Sequence, residues 1–225
     1  VRDSHDVGLR QTDDAAETAI IRLDVRSSVG GSILHGTERI SPVAESEAAT
    51  ATLTMDGASA SEWNVSEPQY DTTKLEDGWH GFTLTEGDGT TETNLLVLNG
   101  SNVVIHEGVL SANETWNADK VHIVRHWVRV SEDVTLTIAP QAVVKFCEDT
   151  GIQVDGTLNA TNAIFTYIYD DVVGGDTDMN GVSYMLTYRS YKIIGDGAIV
   201  VTGVHDSRDV ALRQTDNTAE TATVR

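Results

Sequence analysis

Residues 128–168 read VRVSEDVTLTIAPQAVVKFCEDTGIQVDGTLNATNAIFTYI, and the spacing of the apolar residues in this stretch decides the fold. Val128/Val130 return as Ile152/Val154, and Leu136/Ile138 return as Leu158/Ala160. With Val121/Ile123, Val144/Phe146 and Ile164/Tyr167 as a further series, three short strands recur at a step close to 22 residues. Alternating apolar residues inside each strand give it one inward face. Recurrence at a fixed step stacks that face on the same face one coil above, which is the requirement of a short three-faced parallel β-helix.

Downstream, Asp155-Gly156-x-Leu158-x-Ala160-Thr161 echoes as Asp196-Gly197-x-Ile199-x-Val201-Thr202, an offset of 41. One coil of about 22 plus an acidic insertion over 169–187, YDDVVGGDTDMNGVSYMLT, accounts for that offset. The solenoid is therefore assigned to 111–203. Upstream, Ile21, Leu23 and Val25 alternate with charged residues. Short apolar runs at Ser32–Leu34, Ala51–Met55, Gly81–Thr85 and Asn94–Leu98 each end in Gly, Ser, Asn or Asp. Many short strands with almost no helical period predict an Ig-like β-sandwich over 19–110, so the whole chain is expected to be all-β.

The ends of the chain match one another. VRDSHDVGLRQTDDAAETAIIR at 1–22 and VHDSRDVALRQTDNTAETATVR at 204–225 agree at 15 of 22 positions with a constant offset of 203. Residues 1–18 are read as an inter-repeat junction and 204–225 as the start of the next repeat. Tandem repetition with a period of about 203 marks an array whose units contact their neighbours. The first residue is not Met and no leader pattern follows, so an excerpt of a longer chain is expected. Leu9, Ile21, Leu23, Val25, Leu212 and Val224 are the candidate assembly residues of the junction, through strand addition between successive units.

Composition limits the partners. Thirty-five acidic against 15 basic residues leave a formal charge of −20, which repels nucleic acid and anionic membranes and attracts divalent cations. No apolar run approaches the roughly 18 residues needed to span a bilayer, so membrane insertion is not expected. The lone Cys147, inside VVKFC, reads as a small buried hydrophobe.

The run 128–168 also resembles the right-handed parallel β-helix segments of very large bacterial surface and secreted repeat proteins, in which such segments alternate with Ig-like modules. The likeness covers roughly 19–203 and departs at Gln141, where that family's turn usually carries Gly. The resemblance implies an extracellular or cell-surface, structural or adhesive role and no particular reaction.

The sharpest local motif is Asp176-x-Asp178-x-Asn180-Gly181, the first half of a calcium-binding loop in which alternate oxygens face inward and Gly allows the turn. The twelfth position is Thr187 where such a loop needs a bidentate Glu, so Asp170 or Asp171 is the expected substitute. The candidate metal ligands are thus Asp170, Asp171, Asp176, Asp178 and Asn180, for Ca2+; a solvated acidic turn is the plain alternative. His122 and His126 lie four apart, too few for a metal site by themselves. No nucleophile elbow, zinc-protease helix or Cys/His pair is present, so no catalytic residue is assigned. Glu148, Asp149 and Asp155 are the carboxylates a polysaccharide-acting solenoid would use, and surface solvation explains them as well. Asn64, Asn99, Asn113 and Asn159 begin Asn-x-Ser/Thr triplets. The leading expectation is a non-enzymatic repeat unit of an extracellular filament, stalk or surface array, whose partners are adjacent copies of itself. A carbohydrate-binding or adhesive module is the second reading, and it would use Trp63, Trp79, Trp116, Trp127 or Tyr184 as a glycan platform.

Overall fold

In a computed structural model of the chain, residues 22–23, 33–39, 42–43, 51–56, 58–59, 69–86, 89–183 and 191–206 are described. They form strands throughout, with one 3-10 turn at Thr72–Lys74 and no α-helix. The chain divides into two compact units, Val1–Asn99 and Gly100–Arg225.

The first unit holds β1 (Arg22–Leu23), β2 (Ile33–Leu34), β3 (Thr37–Arg39), β4 (Pro42–Val43), β5 (Ala51–Met55), β6 (Ala58–Ser59), β7 (Gln69–Asp71), β8 (Gly78–Glu86) and β9 (Gly89–Val97). Five of these make one sheet in the order β2-β9-β8-β5-β6, with β2 parallel to β9 and the rest antiparallel. β1 with β4 and β3 with β7 form two-stranded antiparallel ribbons. Ile33, Leu34, Phe82 and Leu95 through Leu98 are buried. Asn99 joins this core's rim to a turn: its Nδ2 donates to the Thr72 carbonyl at 2.9 Å, and its Oδ1 accepts the Gly36 N–H at 2.8 Å. Among the described residues of the first unit no second sheet of more than two strands is present.

The second unit winds upward in rungs. β10 (Val103–Leu110) and β11 (Glu114–Trp116) make the first, and β12 (Val121–Val130) and β13 (Thr135–Ile138) the second. β14 (Val143–Phe146), β15 (Gly151–Val154) and β16 (Thr157–Thr161) make the third. β17 (Ile164–Tyr167), β18 (Lys192–Ile194) and β19 (Ala198–Thr202) make the fourth, and β20 (His205–Asp206) opens a fifth. Every pairing between rungs is parallel. Leu136 lies beside Leu158 and Ile138 beside Ala160, and Ile152 follows Val128, as the spacing required. The 41-residue echo is equally literal, since Leu158 pairs with Ile199 and Ala160 with Val201. Val103–Ile105, read from sequence as a linker strand within 19–110, instead starts the first rung: β10 pairs with β12 and the unit boundary falls at Asn99/Gly100.

One series shifts by a residue. His122/Val124, Val144/Phe146 and Phe165/Tyr167 stack in register, where the alternation suggested Val121/Ile123 and Ile164/Tyr167. The cause is a second burial layer. Residues 169–183 fold over the outer face of this sheet, so that a Cβ on Gly174 would touch Val121 and Val143 at 3.1 Å. Ile123 is consequently as inaccessible as Val124, and period-2 reading loses its contrast.

Corners between rungs repeat as well. Gln141, Asn162 and Gly203 occupy the same turn on successive rungs and all adopt left-handed backbone, with φ of 64°, 50° and 61°. Gln141 N–H donates to the Asn162 carbonyl, and Asn162 N–H to the Thr202 carbonyl, each at 2.8 Å. Gln141, the point of departure from the resembling family, therefore takes the conformation that Gly adopts without strain. Gln141→Gly is expected to stabilise the second unit by up to about 1 kcal/mol, the left-handed penalty less the added chain entropy, as a rise in its thermal midpoint.

Candidate functional site

Lys145 organises a polar, acidic region of the second unit. β14 alternation sends its side chain outward, opposite Val144 and Phe146, and the covering loop then buries it completely. A buried ammonium must be surrounded by acceptors. Nζ donates to the Asp170 carbonyl at 2.7 Å, the Gly175 carbonyl at 2.6 Å and Thr177 Oγ1 at 2.9 Å. Burial lowers its pKa to about 8, against the pull of the Asp170, Asp171, Asp178 and Asp176 charges. The loop is thus folded around a cation supplied by the strand beneath it.

Five ligands were expected here, and three of them converge. Carboxylate oxygens of Asp171, Asp176 and Asp178 lie within 4.8 Å of one another. Asp176 accepts the Gly181 N–H at 2.9 Å and the Asn180 N–H at 3.2 Å, the turn that the Gly at the sixth position permits. Asp171 Oδ1 is shielded from solvent and accepts no hydrogen bond among the described residues. Asp170 and Asn180 are turned elsewhere. Asp170 Oδ2 accepts from Thr166 Oγ1 at 2.5 Å and its Oδ1 from Val172 N–H at 3.1 Å. Asn180 donates through Nδ2 to Asp178, and its Oδ1 accepts the Val182 N–H at 2.6 Å.

Crowding shows in the titration of these groups. Burial, the Asp176 hydrogen bond and the Asp171 charge raise Asp178 to about 6. Asp171 is raised by burial and by Asp176. On Asp176 burial acts upward, but the hydrogen bonds from Gly181, Asp178 and Asn180 hold it below the ordinary carboxylate value. Three clustered carboxylates of this kind could hold a metal ion, and oxygen ligands suit hard cations such as Mg2+, Ca2+ or Mn2+ over soft ones.

The two histidines singled out by spacing do not face each other. His122 Nε2 lies 2.9 Å from the Asn117 carbonyl, and its Nδ1 lies 2.8 Å from His106 Nε2. His126 Nε2 is 3.7 Å from Glu107, which also holds Arg125 at 2.6 Å. The carbonyl fixes the tautomers: His122 donates from Nε2, so its Nδ1 accepts from His106. Both rings stack with the buried Trp116, at centroid distances of 3.9 Å for His106 and 5.3 Å for His122. This trio is a packing element.

His80 in the first unit has the opposite character. Its Nδ1 is 2.6 Å from Asp56 Oδ2 and its Nε2 2.9 Å from the Glu76 carbonyl, so both nitrogens face acceptors. Burial works against the charge, yet Asp56 and the Glu76 carbonyl prevail and the pKa rises above 6.5. Burial, then the His122 charge, pushes His106 down to about 3. A raised imidazole stabilises fully below 6.5 and loses that contribution as pH rises through its folded value. A lowered one stabilises above 6.5 and loses its contribution as pH falls toward 3. Imidazole NMR titration is expected to give a midpoint above 6.5 for His80 and no protonation of His106 down to about pH 5.

The remaining candidates stay apart. Asp155 is held by Arg129 Nε at 2.5 Å and Gln153 at 3.2 Å, and the Asp149 carbonyl accepts Trp127 Nε1–H at 3.1 Å. Glu148 is buried. Cys147 is fully buried with its thiol pushed up to about 12, inert toward oxidation and metals. Trp79 and Trp127 are exposed, whereas Trp116 is core. Of the junction residues, Leu23 pairs with Pro42 in β1; Leu9, Ile21, Val25, Leu212 and Val224 lie outside the described residues, as do Trp63 and Tyr184. No helix among the described residues is long and apolar enough to cross a membrane. Sequence reasoning missed Lys145 and His106. A lysine inside the apolar run VVKFC, followed about 30 residues later by four aspartates, was the available signal for the first; nothing local marked the second. No protein-family model, curated protein or solved structure matches this chain.

Proposed function

We propose that the chain is a non-catalytic repeat unit of an extracellular or cell-surface filament, stalk or array, pairing an Ig-like sandwich with a short parallel β-helix at a period of about 203 residues. The observation that carries this reading is the placement of the duplicated segment. The second copy begins at Val204, and its next two residues, His205–Asp206, extend the stack as β20 on β17, while the first copy ends at Arg22, which pairs with Val43 in β1. A segment used at its start by a stack and at its end by an antiparallel unit is what a continuous array requires. The second and third rungs, whose inward side chains are buried, supply stiffness. A glycan-binding role rests on the exposed Trp79 and Trp127. Negative-stain microscopy of native material decides between them: regular fibres support the array, and discrete particles that bind glycans through those tryptophans support the second reading.

Calcium, in this reading, binds at Asp171, Asp176 and Asp178 and stiffens the covering loop. Asp178 raised to about 6 destabilises the fold as pH climbs through that value, because the folded state must then give up a proton and hold crowded charge. A bound divalent ion offsets this. Saturating Ca2+ at 100 times its Kd is expected to stabilise the second unit by about 2.7 kcal/mol, more at pH 7.5 than at pH 5. Calorimetry with and without chelator measures it, and identical scans would remove calcium from the proposal.

A further inference from the structure

We propose that Asn113 is a site of N-glycosylation. The structure sorts the sequence's four Asn-x-Ser/Thr triplets by what each amide is already doing. Asn64 lies outside the described residues. Asn99 uses both ends of its carboxamide inside the first unit: Nδ2 donates to Thr72 O and Oγ1, and Oδ1 accepts from Gly36. Sugar on that nitrogen would replace one of the two N–H donors that hold the turn. Asn159 sits in the middle of β16, hydrogen-bonded on both sides, between Thr137 of β13 and Val200 of β19. Neighbouring strands lie about 4.8 Å away on either side, so a transferase cannot bend the acceptor backbone there.

Asn113 itself lies outside any strand, and the rest of its triplet, Glu114 and Thr115, begins edge strand β11, which is paired on one side only, with β13. Asn113 is exposed in the 111–113 connection between β10 and β11, and Thr115, the hydroxyl residue of its triplet, is exposed as well. Its Oδ1 accepts the Thr135 N–H at 2.8 Å, which assigns oxygen and nitrogen of the amide unambiguously. No hydrogen bond among the described residues takes Nδ2. The carbonyl is anchored to the next rung while the nucleophilic end points free of partners.

The donor is a glycosyl diphosphate, nucleotide-linked or lipid-linked. Asn113 Nδ2 forms a bond to the anomeric carbon as the anomeric C–O bond to the diphosphate breaks. The diphosphate leaves with the bonding electrons and the nitrogen loses one proton to a base of the transferase. The site does not depend on the array reading, and a glycan there would project from the first rung.

The test is peptide mapping by mass spectrometry of the chain purified from its native host, with two variants expressed in that host. The expected result is a sugar increment on the peptide bearing Asn113, retained in Thr115→Ser and abolished in Thr115→Ala. Because Thr115 is exposed, Thr115→Ala should shift the melting temperature by no more than about 2 °C, separating loss of sugar from loss of fold. A single hexose identifies the nucleotide-linked donor and a preassembled oligosaccharide the lipid-linked one. An unmodified Asn113, or sugar at Asn99 or Asn159, overturns the proposal.

Discussion

Gly156→Ala is expected to prevent the second unit from assembling its stack. An added Cβ would lie 2.2 Å from the Ser131 carbonyl oxygen and 2.3 Å from that of Val134, and both are backbone atoms with nowhere to go. These atoms belong to the β12–β13 corner one rung below, and the Val134 oxygen already accepts the Thr157 N–H at 2.8 Å. The rung above is no more forgiving, since Gly197 packs its own face against the Gly156 carbonyl at a distance that would put a Cβ at 2.2 Å. Overpacking that side-chain motion could relieve costs about 1–3 kcal/mol; here rungs must part, and a loss above about 4 kcal/mol is expected. Circular dichroism melting of the intact chain reads the outcome. A shift of only a few degrees would mean that the corner opens easily and that the stacking drawn here is wrong.

Lys145→Met should be nearly as damaging for a different reason. Methionine fills a similar volume and leaves the β14 backbone alone. Yet it strips a donor that the Asp170 and Gly175 carbonyls share, and it removes a buried positive charge set against Asp170, Asp171, Asp176 and Asp178. Breaking a buried charged arrangement by deleting one partner costs about 3–5 kcal/mol. The loss should localise: hydrogen exchange would accelerate across 169–183 and over the outer face at Ile123, while the first unit's amides keep their protection. Uniform exchange in variant and parent would show that the loop holds itself in place. Calcium should partly rescue the variant, since a divalent ion at the remaining carboxylates supplies the missing charge.

How much of this was legible in the sequence follows from where physics leaves a periodic trace. Leu136, Ile138, Leu158 and Ala160 face one interior and little else, so their step of about 22 survives in the sequence and emerges as register in the sheet. The 41-residue echo survived for the same reason, because an excursion between rungs leaves the inward residues where they were. Val121 and Ile123 misled because a loop buries the outer face as well, and a strand covered on both sides has no polar alternation to read. The candidate site was half legible. Asp176 and Asp178 follow from motif spacing, and Asp171 from the need for another carboxylate. That Asp170 would instead clasp Thr166, and Asn180 its neighbours, depends on hydrogen bonds that spacing does not encode. Lys145 and His106 were hidden because each meets its partners only after strands far apart in sequence are laid side by side.

The insertion between β17 and β18 has a further consequence for how such a chain can change over time. β17 continues the stack at its usual step, the chain then leaves for more than 20 residues, and β18 and β19 resume in register on β15 and β16 as though nothing had intervened. The stack specifies where the chain must return and is indifferent to the path between. Such a junction is a port: new segments can be spliced there without renegotiating the scaffold, and chance insertions would be tolerated there that elsewhere would be lethal to folding. The present occupant has ceased to be a passenger, because the scaffold has placed a lysine beneath it to hold it down.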